Sequence, residues 1–309
     1  MEVTSTAPVT VRVPAKVNLE LRIGPLEDDG YHSLSTVFHA VELHDHVTVR
    51  AADEWSVTTT GVGAGIVPDD DTNLAMRAAK LIAARIGTDE RLAIDVDKKI
   101  PVAGGMAGGS ADAAAALVAV DAFWDSGFSP RELQDMAAEL GSDVPFALEG
   151  GTAIGSGRGE HLVPVLSRGA FEWVFALHHD GLSTPAVYAE CDRLRGNRRI
   201  PEPKPNTALM AALRAGDVDA LASNLQNDLQ DAACSLMPKL TTTMTTGLDN
   251  GALGAIVSGS GPTVAFLCAD RTSALDLMVT LSASNVCDEV VSAAGPVHGA
   301  HVVHDVRHR

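Results

Sequence analysis

The sequence has few cysteines and no long apolar run. Its four cysteines are scattered and form no C-x-x-C pair, so a zinc or disulfide framework is excluded and free, mostly buried thiols in a reducing, cytoplasmic compartment are expected. No stretch approaches the roughly 18 uninterrupted apolar residues of a membrane span. Residues 1–11 contain no basic segment followed by an apolar run, so no signal peptide is expected.

Basic residues are also scarce, with 23 Lys and Arg against 40 Asp and Glu and a formal net charge of −17. This balance disfavours general binding to nucleic acid or to anionic lipid, both of which require basic patches. A length of 309 residues, 46% of them hydrophobic, fits a globular chain of two domains. An anionic ligand would have to be held by local cations and backbone N–H groups.

The most informative stretch is the glycine-rich segment between Pro101 and Asp112, with the sequence PVAGGMAGGSAD. Residues 92–96 before it alternate as a strand, and the alanine-rich residues after it predict a helix. Glycine lets the backbone approach a ligand closely, and a helix N-terminus presents unpaired N–H groups. The order therefore predicts a phosphate-binding loop, and the alternative is a flexible connection.

The segment has neither the G-x-x-x-x-G-K-[ST] pattern nor G-x-G-x-x-G, but residues 100–111 resemble the ATP-binding signature of the GHMP kinases. Ala103 and Ala107 stand where family members often have glycine, and their methyl groups are expected to narrow the loop. The resemblance implies ATP binding by Pro101, Val102, Ala103, Gly104, Gly105, Met106, Ala107, Gly108, Gly109, Ser110 and Ala111.

The family resemblance also implies Mg²⁺ as a companion of ATP. The metal ligands are not identified by the sequence. Ser110 and Asp112 are candidates, and the alternative is that either residue only caps the helix.

A strand is predicted over residues 14–23, with Lys16, Asn18, Glu20 and Arg22 on its polar face. From the pattern alone, that face could simply be solvated. The motif P-A-K-x-N-L, however, resembles the opening of the GHMP kinases that phosphorylate a cytidine-diphosphate sugar alcohol in isoprenoid synthesis. The resemblance implies that Lys16 is catalytic and that Asn18 binds substrate.

Two further motifs point to a nucleobase site. Tyr31 and His32 follow a turn in the motif D-G-Y-H, and Thr184 and Tyr188 belong to S-T-P-x-x-Y. In the kinases that the chain resembles, the two aromatic residues are implied to form the walls of a cytosine slot, with His32 and Thr184 beside it. Aromatic rings stack on bases, and ordinary packing of these residues is the alternative.

Residues near the glycine-rich segment complete the predicted ATP site. Asn73 and Leu74 match a segment that the family places near adenine. Lys98 and Lys99 precede the loop and are either phosphate neighbours or a solvated pair.

Asp143 lies in the motif G-S-D-V-P-F and matches the catalytic aspartate of the resembling kinases. It follows a predicted helix that ends at Leu140 and Gly141, and a helix C-terminus is unfavourable for an anion. A carboxylate held there would suit a general base. The alternative is an ordinary turn residue.

Several local patterns define the remaining architecture. A hairpin is predicted from residues 46–50 and 55–60, a turn-rich passage between domains at 150–159, and a helix over 217–229. Strands near 171–177, 252–257, 263–268 and 286–292 with intervening helices suit a ferredoxin-like α+β unit. His298, His301, His304 and His308 are expected to lie in a solvated tail, and a metal site is the alternative.

Together the motifs predict a two-domain α/β and α+β GHMP kinase fold. A ribosomal-S5-like ATP-binding domain is expected over residues 1–160 and a ferredoxin-like, substrate-side domain over 161–309, with the active site in the cleft between them. The expected partners are small molecules, ATP and the cytidine-diphosphate sugar alcohol, and the expected state is a monomer or weak homodimer. The alternatives are a homoserine- or mevalonate-type kinase, a non-catalytic nucleotide-binding protein, and a nucleic-acid-binding protein.

Overall fold

The computed structural model describes residues 7–28, 30–102 and 104–303. Within them the strands are β1 (Val9–Leu26), β2 (His32–Ala52), β3 (Ser56–Gly61), β4 (Arg91–Lys98), β5 (Thr152–Gly157), β6 (His161–Pro164), β7 (Phe171–Leu177), β8 (Gln226–Asn227), β9 (Gly254–Val257), β10 (Val264–Cys268), β11 (Glu289–Gly295) and β12 (His301–Val302). The helices are α1 (Leu74–Ile86), α2 (Gly108–Trp124), α3 (Pro130–Leu140), α4 (Val144–Glu149), α5 (Thr184–Arg195), α6 (Thr207–Ala215), α7 (Val218–Ala222), α8 (Gln230–Leu236), α9 (Lys239–Asp249) and α10 (Arg271–Ser284).

The first sheet is built on the long antiparallel pair β1 and β2. Its main path runs β12-β1-β2-β4-β3, while β5 pairs with β2, β6 with β5, and β8 with β1. Apolar residues at the odd positions of β1, from Val11 to Leu19, are fully buried against α1 and α2. The strand is 18 residues long, and its pairing with β2 shifts register between Pro14 and Ala15, between Asn18 and Glu20, and between Ile23 and Leu26.

The second sheet is antiparallel, in the order β11-β7-β10-β9. Along β7, Trp173 and Phe175 join the core that contains the first sheet, whereas Val174 and Ala176 face a core with α5, α8, α9 and α10. Both faces are therefore covered, which explains why the predicted buried strand has no polar side. The strands predicted near 252–257 and 263–268 are confirmed as β9 and β10, which form an antiparallel pair.

The predicted hairpin of residues 46–50 and 55–60 is wrong. Strand β4 lies between the two segments: it pairs antiparallel with β2 and parallel with β3. Helix α1 makes the crossover that a parallel pair requires. The physical reason is that β4 carries the buried Leu92 and Ile94, whereas β3 buries only Val57 and suits the sheet edge.

The predicted helix over 217–229 is also wrong, because α7 ends at Ala222 and β8 follows. The Asn224 side chain donates to the Ala220 carbonyl at 2.8 Å and takes the place of a continuing helical bond. Gln226 and Asn227 then pair with Glu20 and Leu21 of β1. A local helical pattern cannot anticipate a distant strand edge of this kind.

Residues 150–159, predicted as a turn-rich passage between domains, contain strand β5, which pairs with both β2 and β6. Strands β6, β8 and β12 join the first sheet although they lie beyond residue 160. The domain boundary at 160/161 stays a prediction. His298 and His301 are exposed, as expected for a solvated tail, but their backbone is paired, because His301 pairs with Arg12 and His298 bridges to Gly150; His304 and His308 lie outside the described residues.

Candidate active site

The glycine-rich loop connects β4 to the N-terminus of α2. Gly105 has a φ of 73°, and an added Cβ would lie 2.1 Å from the Ser258 carbonyl oxygen, so only glycine fits. Ala107 precedes the helix with a φ of 60° and no side chain caps the helix N-terminus. The first-turn N–H groups of α2 are therefore not taken by a capping side chain and can face an anion. Ala103 lies outside the described residues.

Lys98 lies beneath this loop, with 2% of its surface exposed. Its ammonium group donates to Asp45 and to Asp112, each at 2.7 Å. Asp45 also accepts the backbone N–H groups of Lys99 and Ile100, at 2.6 and 2.8 Å. This network fixes the backbone where the loop begins. The solvated alternative for Lys98 is wrong, because the side chain is buried, and its role as a phosphate neighbour stays a prediction.

The charges of this network shift its pKa values. The pKa of Asp112 is raised above its ordinary value, first by burial and also by the neighbouring Asp45, against the opposing effect of Lys98. Burial alone would lower the pKa of Lys98, but the two carboxylates outweigh it and the pKa is raised. Lys98 is therefore held firmly as a cation.

Lys16 reaches the loop from β1. Its ammonium group donates to Asn18 Oδ1 at 2.6 Å and to the Gly105 carbonyl at 2.9 Å, and it lies 3.8 Å from Asp143 Oδ2. Burial lowers the pKa of Lys16 below its ordinary value of 10.5, although the Asp143 carboxylate opposes the shift. Lys16 thus spans the distance between the loop and the predicted catalytic carboxylate.

The polar face of β1 is buried, contrary to the solvated alternative. Asn18 is 2% exposed, its amide nitrogen donates to Thr36 Oγ1 at 2.8 Å, and Thr36 donates to the Glu20 carbonyl at 2.7 Å. This chain orients the Asn18 oxygen toward Lys16. Asn18 also lines the cavity, and its role in substrate binding stays a prediction.

Asp143 stands at a junction of two helices. It follows α3 as expected, but it is also the N-cap residue of α4, where the helix dipole favours an anion. The expectation of an unfavourable helix C-terminus is therefore incomplete. Its side chain is 31% exposed and lines the cavity beside Ser142, so a ligand can reach the carboxylate.

The loop of residues 258–263 faces the glycine-rich loop. Ser258 donates to the Gly105 carbonyl at 3.0 Å. Asn227 Nδ2 donates to the carbonyls of Val257 and Gly259 at 2.8 and 2.7 Å. Ser258 and Asn227 thus fix the second loop. The predicted helix over 217–229 includes Asn227, and its helical pattern gives no sign of this role.

An inner cavity of about 380 Å³ lies between these elements. Its wall comprises Lys16, Asn18, Leu21, Leu34, Thr36, Phe38, Pro101, Gly104, Gly105, Ala107, Gly108, Gly109, Ser142, Asp143, Arg158, Leu182, Thr184, Tyr188, Leu229, Gly259, Ser260 and Gly261. The structure thus brings Lys16, Asn18, Asp143 and the glycine-rich loop together. Val102, Met106, Ser110 and Ala111 belong to the same loop and helix start but are not on this wall.

An adjoining outer cavity of about 470 Å³ contains the predicted aromatic residues Tyr31, His32 and Tyr188. The rings of His32 and Tyr188 lie 5.6 Å apart at their centroids. His32 Nδ1 lies 2.9 Å from the Gly24 carbonyl and Nε2 lies 3.2 Å from Asp192 Oδ2. Burial raises the pKa of Tyr188 to about 12, so its hydroxyl stays neutral.

Asn73 and Leu74 lie at the start of α1, outside both cavity walls. Asn73 caps the helix by accepting from Ala75 N–H at 2.9 Å, and it donates to the Pro68 carbonyl at 2.8 Å. Leu74 Cδ1 would lie 3.5 Å from a Cβ added at Gly109. The pair therefore adjoins the glycine-rich loop, and its contact with adenine stays a prediction.

A fold of two sheets that places an uncapped helix N-terminus, a glycine-rich loop, a lysine and a carboxylate around one cavity defines a phosphotransferase class of nucleotide-binding protein. The chain matches the model of the GHMP kinases N terminal domain over residues 73–151 and that of the GHMP kinases C terminal domain over residues 209–284. No described helix has the length and apolar character needed to cross a membrane.

Similarity in sequence and structure to individual known proteins agrees with the matches to the two family models. The chain is 57% identical over 307 residues to the 4-diphosphocytidyl-2-C-methyl-D-erythritol kinase of Mycolicibacterium smegmatis, covering 98% of this chain and 94% of that protein. A crystal structure of 4-(cytidine 5'-diphospho)-2C-methyl-D-erythritol kinase is 30% identical, with a TM-score of 0.76, covering 92% of this chain and 98% of that chain. The structure of homoserine kinase from Cytophaga hutchinsonii, at 20% identity and a TM-score of 0.75, covers 98% and 99% and shares the fold. The chain belongs to the GHMP kinase family.

Proposed function

We propose that the protein transfers the γ-phosphoryl group of ATP to a hydroxyl of 4-diphosphocytidyl-2-C-methyl-D-erythritol, giving the 2-phosphate. This reaction is a step of the non-mevalonate (MEP) pathway to isoprenoid precursors. The observation that carries the proposal is the 3.8 Å approach of Lys16 to Asp143 beside the glycine-rich loop, within a cavity that adjoins an aromatic-lined one. The identity to kinases of that name supports the choice of substrate.

Asp143 is proposed as the group that accepts the hydroxyl proton as the acceptor oxygen attacks. It is exposed enough to meet a substrate and is the carboxylate nearest to Lys16. Lys16 orients Asp143 and offsets the negative charge that develops in the transition state. Positioning of the two reactants and this electrostatic support account for the catalysis.

The phosphates of ATP are proposed to lie on the backbone N–H groups of residues 104–111, at the N-terminus of α2. Lys98 supports this loop from below rather than reaching the cavity, because its ammonium group is engaged by Asp45 and Asp112. The proposed nucleotide site thus relies mainly on backbone donors, as expected for a strongly acidic chain.

Magnesium is proposed to accompany ATP. Among the residues that the structure describes, no group of three His, Cys, Asp or Glu side chains is placed to hold a metal ion. The phosphates commonly supply much of the coordination of Mg²⁺ in kinases. Asp112 is buried against Lys98, whereas the half-buried Ser110 lies in the first turn of α2 and fits better as a ligand. When bound, the metal neutralises phosphate charge.

The outer cavity is proposed to hold cytosine between Tyr31 and Tyr188. Both ring nitrogens of His32 already lie near acceptors of the protein. The base would therefore be read by the backbone beside His32 and by ring contacts, and Thr184, held 2.9 Å from Ser260, would line its edge. Homoserine and mevalonate offer no base for this cavity, which weighs against the rival kinases of the family.

A substrate screen tests the proposal. ATP consumption is measured with the cytidyl-erythritol compound, mevalonate and homoserine in parallel, with CMP as a competitor. We expect turnover with the first compound only, and inhibition by CMP. Turnover of mevalonate or homoserine instead would replace the substrate, and absence of ATP consumption with all three would favour a non-catalytic protein.

The variant Asp143→Asn tests the mechanism. We expect kcat to fall by about 10²–10⁴-fold because the proton acceptor is lost, while ATP binding measured by calorimetry is retained. Near-normal turnover would remove Asp143 as the base.

We further propose that the protein acts in the cytoplasm as a monomer or weak homodimer, with domains over residues 1–160 and 161–309. The four cysteines are free, which is consistent with a reducing compartment. Sedimentation analysis and limited proteolysis test the assembly state and the boundary.

A further inference from the structure

We propose that the ion pair between Arg195 and Asp228 positions the walls of the outer cavity and so determines how tightly the nucleobase of the substrate is held. The proposal rests on the proposed function, because it assumes that the outer cavity receives a cytosine base. Neither residue lines the inner or the outer cavity, and neither belongs to a motif of the predicted site. Both are therefore positioning residues and not ligand contacts.

The outer cavity is formed by segments that come from different parts of the chain. Tyr188 belongs to α5, whereas His32 begins β2 and follows the turn after the end of β1. His32 Nε2 lies 3.2 Å from Asp192 Oδ2 of α5, but the Asp192 side chain is 43% exposed, so this contact alone is a weak tie. The width of the cavity therefore depends on what else holds α5 against the end of β1.

Asp228 is fixed to the end of β1 by both its backbone and its side chain. Its N–H group donates to the Leu21 carbonyl at 2.9 Å, and its Oδ2 atom accepts the Ile23 N–H at 3.0 Å. It directly follows β8, which pairs with β1. The carboxylate of Asp228 is thus held in a defined position beside the strand end.

Arg195, the last residue of α5, reaches the same carboxylate from the helix. Its Nη2 atom donates to Asp228 Oδ2 at 3.0 Å, and its Nη1 atom donates to the Gly24 carbonyl at the longer distance of 3.4 Å. The same carbonyl accepts from His32 Nδ1 at 2.9 Å, because a carbonyl oxygen has no proton to donate. The planar guanidinium group thus joins α5 to the backbone group that also holds His32.

The surroundings of this joint leave little room for adjustment. A Cβ added at Gly24 would lie 2.9 Å from Pro203 Cδ, and Ile23 is buried. The side chains of Arg195 and Asp228 are only 16% and 21% exposed, so solvent screens their attraction less than that of a surface pair. Loss of the pair is therefore expected to shift α5 and the strand end relative to each other, since closely packed segments transmit strain.

A neighbouring ion pair on α5 provides a matched control. Arg193 pairs with Glu190 of the same helix, and the Arg193 side chain is 66% exposed. A pair within one helix cannot set the distance between two elements, whereas Arg195 and Asp228 are 33 positions apart in the chain. Arg193 also lies outside both cavity walls. Arg193→Met thus removes an arginine from the same end of the same helix without touching the joint.

The experiment compares cytidine and CMP as competitors of the cytidyl substrate in the wild-type enzyme, Arg195→Met, Arg195→Lys and Arg193→Met. We expect Arg195→Met to weaken both competitors by the same factor, about 5- to 20-fold, because the walls that contact the base are displaced. Arg195→Lys keeps the charge but not the planar fork, and about 2- to 5-fold weakening is expected. Arg193→Met should behave like the wild-type enzyme.

Steady-state kinetics give a readout that a purely stabilising pair would not change. The KM for the cytidyl substrate is expected to rise in Arg195→Met by about the same factor as the competitors weaken, while the KM for ATP stays unchanged. A pair that only stabilises the fold would instead lower the folded fraction and with it the apparent kcat, and would leave both KM values as they are.

The variant Asp228→Asn tests whether the two residues act as a unit. We expect it to raise the KM for the cytidyl substrate as Arg195→Met does, because the same ion pair is lost. The double variant should exceed the more affected single variant by no more than about twofold. Effects of the two substitutions that multiply fully would contradict a shared role.

Three other results would overturn the proposal. Weaker CMP with unchanged cytidine in Arg195→Met would mean that Arg195 contacts a phosphate directly, and unchanged affinity for both would leave the pair with a structural role only. If Arg195→Met does not fold, an unchanged cytidine affinity in Arg195→Lys decides against the proposal in the same way. If cytidine and CMP do not compete with substrate in the wild-type enzyme, the proposed function fails, and the positioning role fails with it.

Discussion

Lys16 and Lys98 both contact the glycine-rich loop through buried ammonium groups, yet their surroundings are opposite. Lys98 has two carboxylates at 2.7 Å, no place on the cavity wall, and a raised pKa. Lys16 has one carboxylate at 3.8 Å, a place on the cavity wall, and a pKa lowered chiefly by burial. The charge of Lys98 is balanced by two carboxylates and serves to hold the loop, whereas the charge of Lys16 is only partly balanced and can act on a ligand in the cavity.

The largest expected effect comes from breaking the Lys98 network. Lys98→Met leaves Asp45 and Asp112 buried without a cation, so we expect the free energy of unfolding to fall by about 3–5 kcal/mol. Urea denaturation measures the loss. Lys80→Met, which removes a surface ion pair with Asp71, is the control and should cost no more than about 1 kcal/mol. A similar small loss in Lys98→Met would refute the anchoring role.

Lys16→Met should separate activity from stability. We expect kcat to fall about 10²–10³-fold because charge support near the transferred group is lost. The free energy of unfolding should change by less than about 1 kcal/mol, because an incompletely paired charge leaves the interior at the same time. Kinetics and urea denaturation are measured together, with the exposed Lys204→Met as control. A loss of stability in Lys16→Met as large as that in Lys98→Met would contradict the view that Lys98 is structural and Lys16 acts on the ligand.

Raising the pH into the alkaline range should change the contributions of the two lysines to the free energy of unfolding in opposite directions. The folded-state pKa of Lys98 is raised, so its stabilising contribution is present below pH 10.5, the ordinary value, and is lost as pH rises through the raised pKa. The folded-state pKa of Lys16 is lowered, so its unfavourable contribution diminishes as pH rises from that lowered value toward 10.5.

The pH dependence of enzyme activity should reflect the lowered pKa of Lys16. Because Lys16 loses its proton below the ordinary lysine pKa, kcat/KM is expected to decline on the alkaline side before pH 10.5. A pH–rate profile of the wild-type enzyme, with denaturation curves at the same pH values, checks this. A profile that stays flat until the protein unfolds would contradict it.

The smallest expected effect lies in the loop between the two lysines. Ala107 holds a left-handed φ of 60°, which costs an alanine more than a glycine. Ala107→Gly should therefore raise the free energy of unfolding by no more than about 1 kcal/mol, because the greater entropy of unfolded glycine offsets part of the gain. Ala115→Gly in the interior of α2 should instead lower it by about 1 kcal/mol, and thermal unfolding distinguishes the two.

Sequence patterns predicted those structural elements that are determined by residues close together in the chain. The strand, loop and helix around residues 92–124 were recognisable because alternation, glycine density and helix propensity all lie within a short window. Lys16 and Asp143 were found through motifs. Their approach to each other was implied by the family resemblance and lies 3.8 Å in the structure.

Features that depend on distant partners were not predictable. Asp45 carries no motif, and its contact with Lys98 joins residues 53 positions apart. The parallel pairing of β3 with β4 and the pairing of β8 with β1 depend on which strand edge is open after the sheet forms. Arg158 belongs to no motif of the predicted site, and its place on the walls of both cavities depends on how the distant elements pack.

The hydrogen bond between Ser258 and Gly105 spans 153 positions of the chain, which has a consequence for biosynthesis. During translation the glycine-rich loop is synthesised long before Ser258, whose side chain donates to the Gly105 carbonyl. The nascent chain must therefore wait for its last third before the phosphate site is complete, since such long-range closure comes late in folding. Chains that terminate before residues 258–263 should consequently consume no ATP, because their phosphate site is incomplete.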